Sequence, residues 1–269
     1  MKVAVYDVSS KKIGEMDLPM QFNEDVRQDL ISRAVIAIQS NKRTPYGNMP
    51  TAGKRSSHEV SKRRRNYRGS YGHGISRSPR KVLSRRGTRF MWVGAFAPNT
   101  VGGRRAHPPK AEKRWDKKIN RKERRKAIRS AISATVISEL VRKRGHMVPG
   151  NYPFALDKKF EDLSKTKDVI SSLKTIGLES ELERTEERSI RSGKGKMRGR
   201  KYRQKKGPLI IVVSKDAKIM KAAANIPGVD VIDVRNLNVE LLAPGEMPGR
   251  LTLWTTGAIE MLEKENLFK

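Results

Sequence analysis

The sequence has no cysteine among its 269 residues. Disulfide bonds and thiolate metal sites are therefore excluded, and with them the small secreted domains that disulfide bonds stabilise. The four histidines, His58, His73, His107 and His146, lack the spacing of a metal-binding motif. No nucleophile is paired with a general base in any recognisable pattern. We therefore expect a protein that has no metal and no cofactor and is not an enzyme.

Long apolar runs are absent as well. The longest uncharged stretch, 90–103, contains Pro98 and several glycines and polar residues, and it is shorter than the ~20 residues that a membrane span requires. The chain starts directly in a strand pattern at Lys2, which predicts that it has no signal peptide. These features favour a cytoplasmic protein that does not enter a membrane.

Acidic residues are scarce in two parts of the chain. The whole sequence has 59 Lys and Arg against 28 Asp and Glu, a net charge of +31. Segment 42–126 alone carries +23, and segment 188–206 has ten basic residues and no acidic one. The other 165 residues have a net charge of −2. A nearly neutral body with two cationic segments indicates a polyanionic partner.

The stretch 42–110 contains 18 Lys and Arg, one acidic residue, Glu59, and many Gly, Ser, Pro, Asn and Thr. No sustained helical or alternating apolar pattern runs through it. It therefore offers too little apolar surface to repay the entropy of ordering its chain. We expect a long irregular insertion that a polyanion would order.

Two amphipathic helices are predicted on either side of this insertion. Asn23 is expected to cap the first helix, which fades at Ser40. The second is expected to start at a capping box formed by Asn120 and Glu123 and to end at Gly145. Both helices show an apolar face suited to packing in one core.

The remaining segments alternate between strand and helix patterns. Expected strands are 2–8, 13–18, 209–213, 229–234 and 251–255, and expected helices are 166–176, 179–189, 216–225 and 256–263. Such alternation is typical of an α/β fold with a mostly parallel sheet flanked by helices.

The domain organisation follows from these patterns. Segments 1–41 and 111–269 are predicted to form a single discontinuous α/β globular body. Segment 42–110 is predicted to be an extended loop that penetrates RNA, and 188–206 a second basic RNA-binding loop within the body.

The basic segments also contain aromatic residues, which can stack on unpaired bases while Lys and Arg neutralise phosphates. RNA is favoured over duplex DNA because the sequence has neither a Cys/His finger nor a basic zipper. A solvated charge run or a targeting signal is the alternative. The residues expected to bind RNA are Lys54, Arg55, Lys62, Arg63, Arg64, Arg65, Tyr67, Arg68, Tyr71, His73, Arg77, Arg80, Lys81, Arg85, Arg86, Arg89, Trp92, Arg104, Arg105, His107, Lys110, Lys194, Lys196, Arg198, Arg200, Lys201, Tyr202, Arg203, Lys205 and Lys206.

The sequence GKGK at 193–196 superficially matches a nucleotide-binding phosphate loop. Met197 follows it where such a loop has Ser or Thr, and the segment leads into a strand instead of a helix. We interpret it as part of the second RNA-binding loop.

Several motifs resemble the large-subunit ribosomal protein four family in its archaeal and eukaryotic form. They are GGRRAHPPK at 102–110, INRKER at 119–124, AIRSA at 127–131, GKGKMRGR at 193–200 leading into GPLIIV at 207–212, LAPG at 242–245 and PGRL at 248–251. The similarity follows the chain in order over essentially its whole length.

This resemblance implies a structural constituent of the large ribosomal subunit that binds ribosomal RNA, aids subunit assembly and contacts neighbouring ribosomal proteins. It also implies that the long loop reaches the wall of the exit tunnel, where its tip meets the nascent peptide. The candidates for this tip are Tyr67, Arg68, Gly69, Ser70, Tyr71, Gly72, His73 and Gly74.

Two other functions remain open from the sequence. A nucleotide-using RNA-modifying enzyme would need a glycine loop after the strand at 209–213, where the chain has Ser214, Lys215 and Asp216. A general nucleic-acid binder of the chromatin type would bind any duplex equally well.

Overall fold

The computed structural model describes residues 1–269. They form two compact units: the first comprises Met1–Lys42 and Asp116–Lys269, and the second is Arg43–Trp115. Each unit is described in turn. None of the helices has both the length and the apolar content that a membrane span requires.

A six-stranded sheet lies at the centre of the first unit. Its strands, in chain order, are β1 (Lys2–Tyr6), β2 (Lys12–Asp17), β5 (Phe154–Leu156), β8 (Leu209–Val212), β9 (Asp230–Asp233) and β10 (Thr252–Thr255). Their order across the sheet is β2-β1-β5-β10-β8-β9. Only the β1–β2 pair is antiparallel. The predicted α/β class with a mostly parallel sheet is confirmed.

Both faces of this sheet are covered, which explains the continuous apolar run of β8. Leu209 and Ile211 belong to one buried apolar cluster, whereas Ile210 and Val212 belong to the other. Successive side chains of a strand point to opposite faces, so each face needs its own apolar residues.

Eight helices belong to the first unit. They are α1 (Gln28–Asn41), α2 (Arg121–Val136), α3 (Ser138–Lys143), α4 (Thr166–Leu173), α5 (Glu179–Glu186), α6 (Ile219–Ala222), α7 (Val239–Leu242) and α8 (Thr256–Lys264). Helices α1, α2, α7 and α8 supply buried residues to the first apolar cluster, and α3 to α6 supply the second. The arrangement is a three-layer α/β/α sandwich.

The first helix starts later than its sequence indicates. Residues 20–22 form a 3₁₀ turn that buries Gln21 and Phe22, and α1 begins only at Gln28. The backbone N–H of Arg27 donates to the hydroxyl of Ser130 in α2 at 2.7 Å. The predicted cap at Asn23 is therefore wrong, because a contact from a distant helix fixes the chain just before α1.

The second helix is interrupted where one continuous helix was expected. Asn120 occupies the N-cap position, but its side chain makes no capping hydrogen bond. Ile137 is extended (φ −84°, ψ 100°) and separates α2 from α3. The carbonyl of Thr135, which would accept from residue 139 in a continuous helix, accepts from the Tyr152 hydroxyl instead. This contact with a distant tyrosine accompanies the break.

The second cationic segment, which was predicted to be a basic loop within the body, forms a small hairpin. Its strands β6 (Arg188–Ile190) and β7 (Tyr202–Gln204) pair antiparallel. A 3₁₀ turn at Lys194–Arg198 forms the tip between Gly193 and Gly199, both of which have positive φ. Glycine is the residue that adopts this conformation without strain.

The second unit also contains regular structure, so the expectation of an irregular insertion is wrong in part. Strands β3 (Arg80–Arg86) and β4 (Arg89–Gly94) form an antiparallel hairpin. They are joined by a two-residue turn, Gly87-Thr88, in which Gly87 has φ +57°. Two-residue turns with positive φ suit the twist of paired strands. The sequence does contain one indication of this hairpin. A short turn that contains Gly87 separates Val82 and Leu83 from the apolar residues of β4.

Candidate nucleic-acid interface

The hairpin of the second unit carries a cluster of aromatic rings. Phe90 stacks on Trp92 with ring centroids 5.3 Å apart, and Tyr67 meets Phe90 edge to face at 5.4 Å. His73 approaches Trp92 at 6.3 Å. The Tyr67 hydroxyl accepts from Nη1 of Arg85 at 2.7 Å. These contacts hold the rings in place on a small unit that has almost no buried apolar core.

Arginine side chains lie over the aromatic faces of the same unit. The guanidinium of Arg80 lies 5.8 Å from the Trp92 centroid, and that of Arg77 lies 5.0 Å from the Tyr71 centroid. Cation–π contacts of this kind restrict the arginines, and the Arg80 guanidinium is held further by hydrogen bonds that it donates to Ser76 and Ser78. The unit thus presents pre-positioned cations.

The predicted tip, 67–74, combines buried and exposed residues. Ser70 is buried, and its backbone N–H and hydroxyl both donate to the carbonyl of Ser61 at 3.2 Å. A Cβ on Gly69 would lie 2.8 Å from the Asn66 carbonyl oxygen, so glycine fits this close approach. Tyr71 is exposed, as are Tyr67, Gly72, His73 and Gly74. Short-range bonds therefore hold a turn with outward-facing rings.

Glu59 is the one acidic residue of segment 42–110, and it is already paired. Its carboxylate lies 3.4 Å from Nη1 of Arg68. Its backbone also forms an antiparallel bridge with Arg80, the first residue of β3. The remaining guanidiniums of the tip region have no carboxylate partner, so their charge is available to an external anion.

A second aromatic cluster joins the two ends of the second unit, and its aromatic residues are not among those that the sequence predicts to bind RNA. Tyr46 stacks on Trp115 with centroids 6.1 Å apart, and the Arg43 guanidinium lies 3.6 Å from the Trp115 centroid. Lys113 is also close, at 4.3 Å. An open groove of about 700 Å³ lies here, and its lining includes the predicted residues Arg105, His107 and Lys110. The sequence does indicate this cluster, because each end of the second unit has an aromatic residue close to basic residues.

The second hairpin presents its cations at its tip and along its strands. The backbone N–H of Arg191 donates to the Lys201 carbonyl at 2.8 Å, and its Nε donates to the Arg200 carbonyl at 3.2 Å. The Lys201 ammonium lies 5.4 Å from the Tyr202 ring centroid. The side chains of Lys194, Lys196 and the other predicted residues of this hairpin are exposed.

A buried ionic network supports the base of this hairpin, and it was also missed. Glu181 and His146 are almost fully buried, and His146 Nδ1 lies 2.7 Å from the Glu181 carboxylate. Arg184 donates to Glu181 at 2.6 Å and to the Lys206 carbonyl at 2.8 Å. The network thereby fixes the chain just after β7 to helix α5. Glu181 and Arg184 are three residues apart on α5, but His146 and Lys206 are distant in sequence, so no local pattern indicates the whole network.

The pKa values of the network follow from burial and charge. Burial lowers the pKa of His146, although the hydrogen bond with Glu181 opposes this shift. Burial opposes ionisation of Glu181, yet hydrogen bonds from Arg184 and His146 leave its pKa below the ordinary value. The pair therefore consists of a neutral imidazole and a carboxylate.

All thirty predicted RNA-binding residues are accessible, and they fall into two groups. Twenty-one belong to the second unit, and nine belong to the cationic segment 188–206 of the first unit. Five are half-buried and the others are exposed: the half-buried ones are Arg68, Arg80, Lys81, Trp92 and Arg104. Their binding to RNA stays a prediction.

The segments considered for nucleotide chemistry have other structures. The GKGK segment at 193–196 lies at the tip of a hairpin instead of between a strand and a helix. After β8, the hydroxyl of Ser214 accepts from the backbone N–H of Asp216 at 3.2 Å in a turn without glycine. No group of three or more His, Cys, Asp or Glu residues is placed to hold a metal ion.

A mixed α/β body with exposed cationic hairpins is typical of the structural proteins of ribonucleoprotein particles. The chain matches the model of the ribosomal protein L4/L1 family over residues 16–265. It is 51% identical over 268 residues to the large ribosomal subunit protein uL4 of Nanoarchaeum equitans, with 100% of both chains covered. The proteins of the same name from Archaeoglobus fulgidus and Methanoculleus marisnigri are 46% and 43% identical, and at least 97% of each chain is covered.

The chain therefore belongs to the ribosomal protein L4/L1 family. The resemblance noted from the sequence motifs is confirmed. Membership in a family of ribosomal structural proteins also confirms the expectation that the chain is not an enzyme.

Proposed function

We propose that the protein is a structural constituent of the large ribosomal subunit in the cytoplasm, where it binds ribosomal RNA next to other ribosomal proteins. Membership in the family supports the location in the large ribosomal subunit, and the charge distribution supports the contact with ribosomal RNA. The observation that carries the proposal is the concentration of exposed Lys and Arg in two segments of an otherwise nearly neutral chain.

Phosphate neutralisation supplies the affinity in this proposal. Each Lys or Arg that contacts a phosphate releases condensed counterions, and this gain is large at low salt and shrinks as salt rises. Close packing of RNA helices is opposed by their mutual repulsion. Two cationic segments on one chain can reduce that repulsion and so aid assembly of the subunit.

Aromatic stacking supplies position. The rings of Tyr67, Tyr71 and Trp92 are accessible and are oriented by neighbouring arginines. Such rings stack on unpaired bases, which occur in the loops and bulges of folded RNA. We therefore assign the contact of the second unit to irregular RNA in preference to a regular duplex.

The nascent-peptide contact belongs to the tip 67–74 in this proposal. Local hydrogen bonds to Ser61 order the turn, while Tyr67, Tyr71 and His73 face outward. A turn with an ordered backbone and outward rings suits a fixed constriction in a tunnel wall. Crosslinking of a stalled nascent chain to a photoreactive group at Tyr71 would test it, with Lys81 as the control position.

Sedimentation tests the main proposal. Tagged protein from lysate is run on a sucrose gradient after a high-salt wash. Retention in the large-subunit peak is expected, because a chain interlocked with folded RNA cannot leave when its ionic contacts weaken. Complete release into the top fractions would contradict the proposal and indicate a peripheral RNA binder.

A further inference from the structure

A cavity of about 580 Å³ lies at the base of the second cationic hairpin, within the first unit. Strand β7 and the residues that follow it form one wall, and the C-terminal end of α3 and the end of α5 form the others. The charged residues that line it are Arg144, Arg184, Glu187, Arg203, Lys205 and Lys206.

The positive charge of this cavity is only partly balanced. Three of its five cations have carboxylate partners: Lys205 pairs with Glu187, Lys206 with Asp230, and Arg184 with Glu181. Arg144 and Arg203 have none. His146, which also lines the cavity, has a pKa lowered by burial and adds no positive charge near neutral pH. Two of the arginines that line the cavity therefore have no carboxylate partner.

Arg144 is the more constrained of the two. It is half-buried, and its guanidinium donates to the carbonyls of Met247 and Pro244. These carbonyls orient the guanidinium but carry no net charge. Burial, with the nearby charges of Arg250 and Arg184, lowers the pKa of Arg144 to about 10. A cation held near two others is stabilised by a bound anion.

The donors left over suit an oxyanion. A guanidinium has five N–H groups in a planar fork, and those not used by the two carbonyls remain free. Arg203 is an exposed residue of β7 that lines the cavity, and it makes no ion pair. Two guanidiniums at one cavity can hold tetrahedral phosphate oxygens with short, charge-assisted hydrogen bonds.

We propose that this cavity is a phosphate-binding site in which Arg144 and Arg203 hold one phosphoryl group. The source of the group is an RNA backbone phosphate, and this assignment rests on the proposed function. The site lies in the body and not at the hairpin tip, so it adds Arg144 to the predicted RNA-binding residues. It would dock the base of the hairpin while the tip extends further along the RNA.

The first test titrates the purified full-length chain with inorganic phosphate at constant ionic strength and follows the arginine side-chain N–H resonances by NMR. Saturable shifts of the Arg144 and Arg203 signals are expected. Arg203→Gln should weaken phosphate binding at least about tenfold, because a charge-assisted bidentate contact is worth more than 1.4 kcal/mol. Lys167→Gln, which removes an exposed charge from α4, should have no effect. Linear shifts without saturation would overturn the proposal.

The Arg144 variants separate binding from folding. Arg144→Gln removes the charge together with the contacts to residues 244–247, so it can unfold that turn. Arg203→Gln has no such contacts to lose, and it keeps the test valid if Arg144→Gln fails to fold. An Arg203→Gln chain that binds phosphate as tightly as the wild type would overturn the proposal.

The second test identifies the source of the phosphate. Affinity for the protein's own large-subunit ribosomal RNA is measured against salt concentration. Arg203→Gln should reduce the slope of log affinity against log salt by about one, as expected for one lost phosphate contact. An unchanged slope with weakened phosphate binding would overturn the RNA assignment. Sedimentation with the large subunit is scored separately, so loss of the site and failure of the proposed function give different results.

Discussion

Asp230 shows how burial decides the worth of an ion pair. One of its carboxylate oxygens, Oδ2, accepts from Arg250 at 2.6 Å and from Lys206 at 3.0 Å. The Arg250 side chain is fully buried, whereas about half of the Lys206 side chain is exposed. One buried cation and one exposed cation therefore bind the same carboxylate. Mutating each of them in turn compares a buried ion pair with an exposed one.

Arg250→Met is expected to destabilise the first unit by about 3–5 kcal/mol, because it leaves Asp230 without its buried partner. It also leaves the carbonyls of Gly207 and Leu241 without their donors. Lys206→Met should cost less than about 1 kcal/mol, as exposed ion pairs do. Urea unfolding followed by circular dichroism measures both. Equal losses in the two variants would show that burial is not the deciding factor.

His146 makes the stability of the first unit dependent on pH. Burial lowers its pKa in the folded chain below the ordinary value of 6.5. The unfolded chain therefore takes up a proton first as pH falls, and folding loses free energy. Stability should be full above about pH 6.5 and should decline below it, by at most about 1.4 kcal/mol per pH unit. The lowered pKa of Glu181 acts in the same direction at lower pH.

The His146 variant tests this assignment. His146→Asn keeps a side-chain N–H donor near Glu181 but cannot take up the proton. The decline in stability between pH 6.5 and 5.5 should become shallower in this variant. His107→Asn, which changes an exposed histidine of the second unit, serves as the control. Parallel stability curves for His146→Asn and wild type would contradict the role of His146.

At the scale of elements, the local sequence pattern predicts a helix or strand correctly where the apolar residues of that element alone determine which face is buried. The apolar run of β8 and the apolar stripe of α1 both appear in the structure. The break after α2 depends on Tyr152, which contacts Thr135 from a later part of the chain. The late start of α1 depends on Ser130 in the same way. Contacts between distant residues override helix signals, and a single sequence does not reveal them.

The residues of the candidate interface likewise fall into those that the sequence predicts and those that only the fold brings together. Charge runs such as 62–65 and 194–206 are visible in the sequence, so their residues were selected. Tyr46 and Trp115 were not, because they lie at opposite ends of the second unit and meet only through folding. Arg144 and Arg184 were missed for a similar reason, since their surroundings are assembled from several elements. Sequence reports which charges exist, and the fold decides which of them remain unpaired.

The tip of the second hairpin should contribute mainly non-specific affinity. Replacing Lys194, Lys196, Arg198 and Arg200 by Gln removes four exposed charges. The slope of log RNA affinity against log salt should fall by about three, since each phosphate contact contributes about 0.7–0.9. Filter binding to large-subunit ribosomal RNA at several salt concentrations measures the slope.

A body variant with the same loss of charge controls for net charge. Lys158, Lys159, Lys165 and Lys167 are also exposed, and changing them to Gln removes four charges outside the cationic segments. If this control lowers the slope as much as the tip variant does, the effect belongs to the total charge and the hairpin has no special role.

At the scale of the whole molecule, apolar burial and positive charge are separated. Both large apolar clusters consist of residues of the first unit. The second unit has few buried residues, among them Ala95 and Ser70, and relies on aromatic pairs and a short hairpin. Folding free energy from apolar burial is therefore concentrated in the first unit, and the second unit contributes charge and exposed rings. This division predicts that the two can be separated by deletion.

Deletion of 62–90, with the ends joined by a short Gly-Ser linker, should leave the first unit folded. Its sheet and both apolar clusters are intact in this variant, so near-ultraviolet circular dichroism should keep its signal from Trp254, which is buried in the first cluster. The thermal midpoint should change by only a few degrees, as expected for a loss of about 1 kcal/mol or less. Retention in the large subunit after the high-salt wash should decrease, because the tip and most of the β3–β4 hairpin are gone. A deleted chain that unfolds on its own would show that the second unit is part of one cooperative core, and the division into body and insertion would then be wrong.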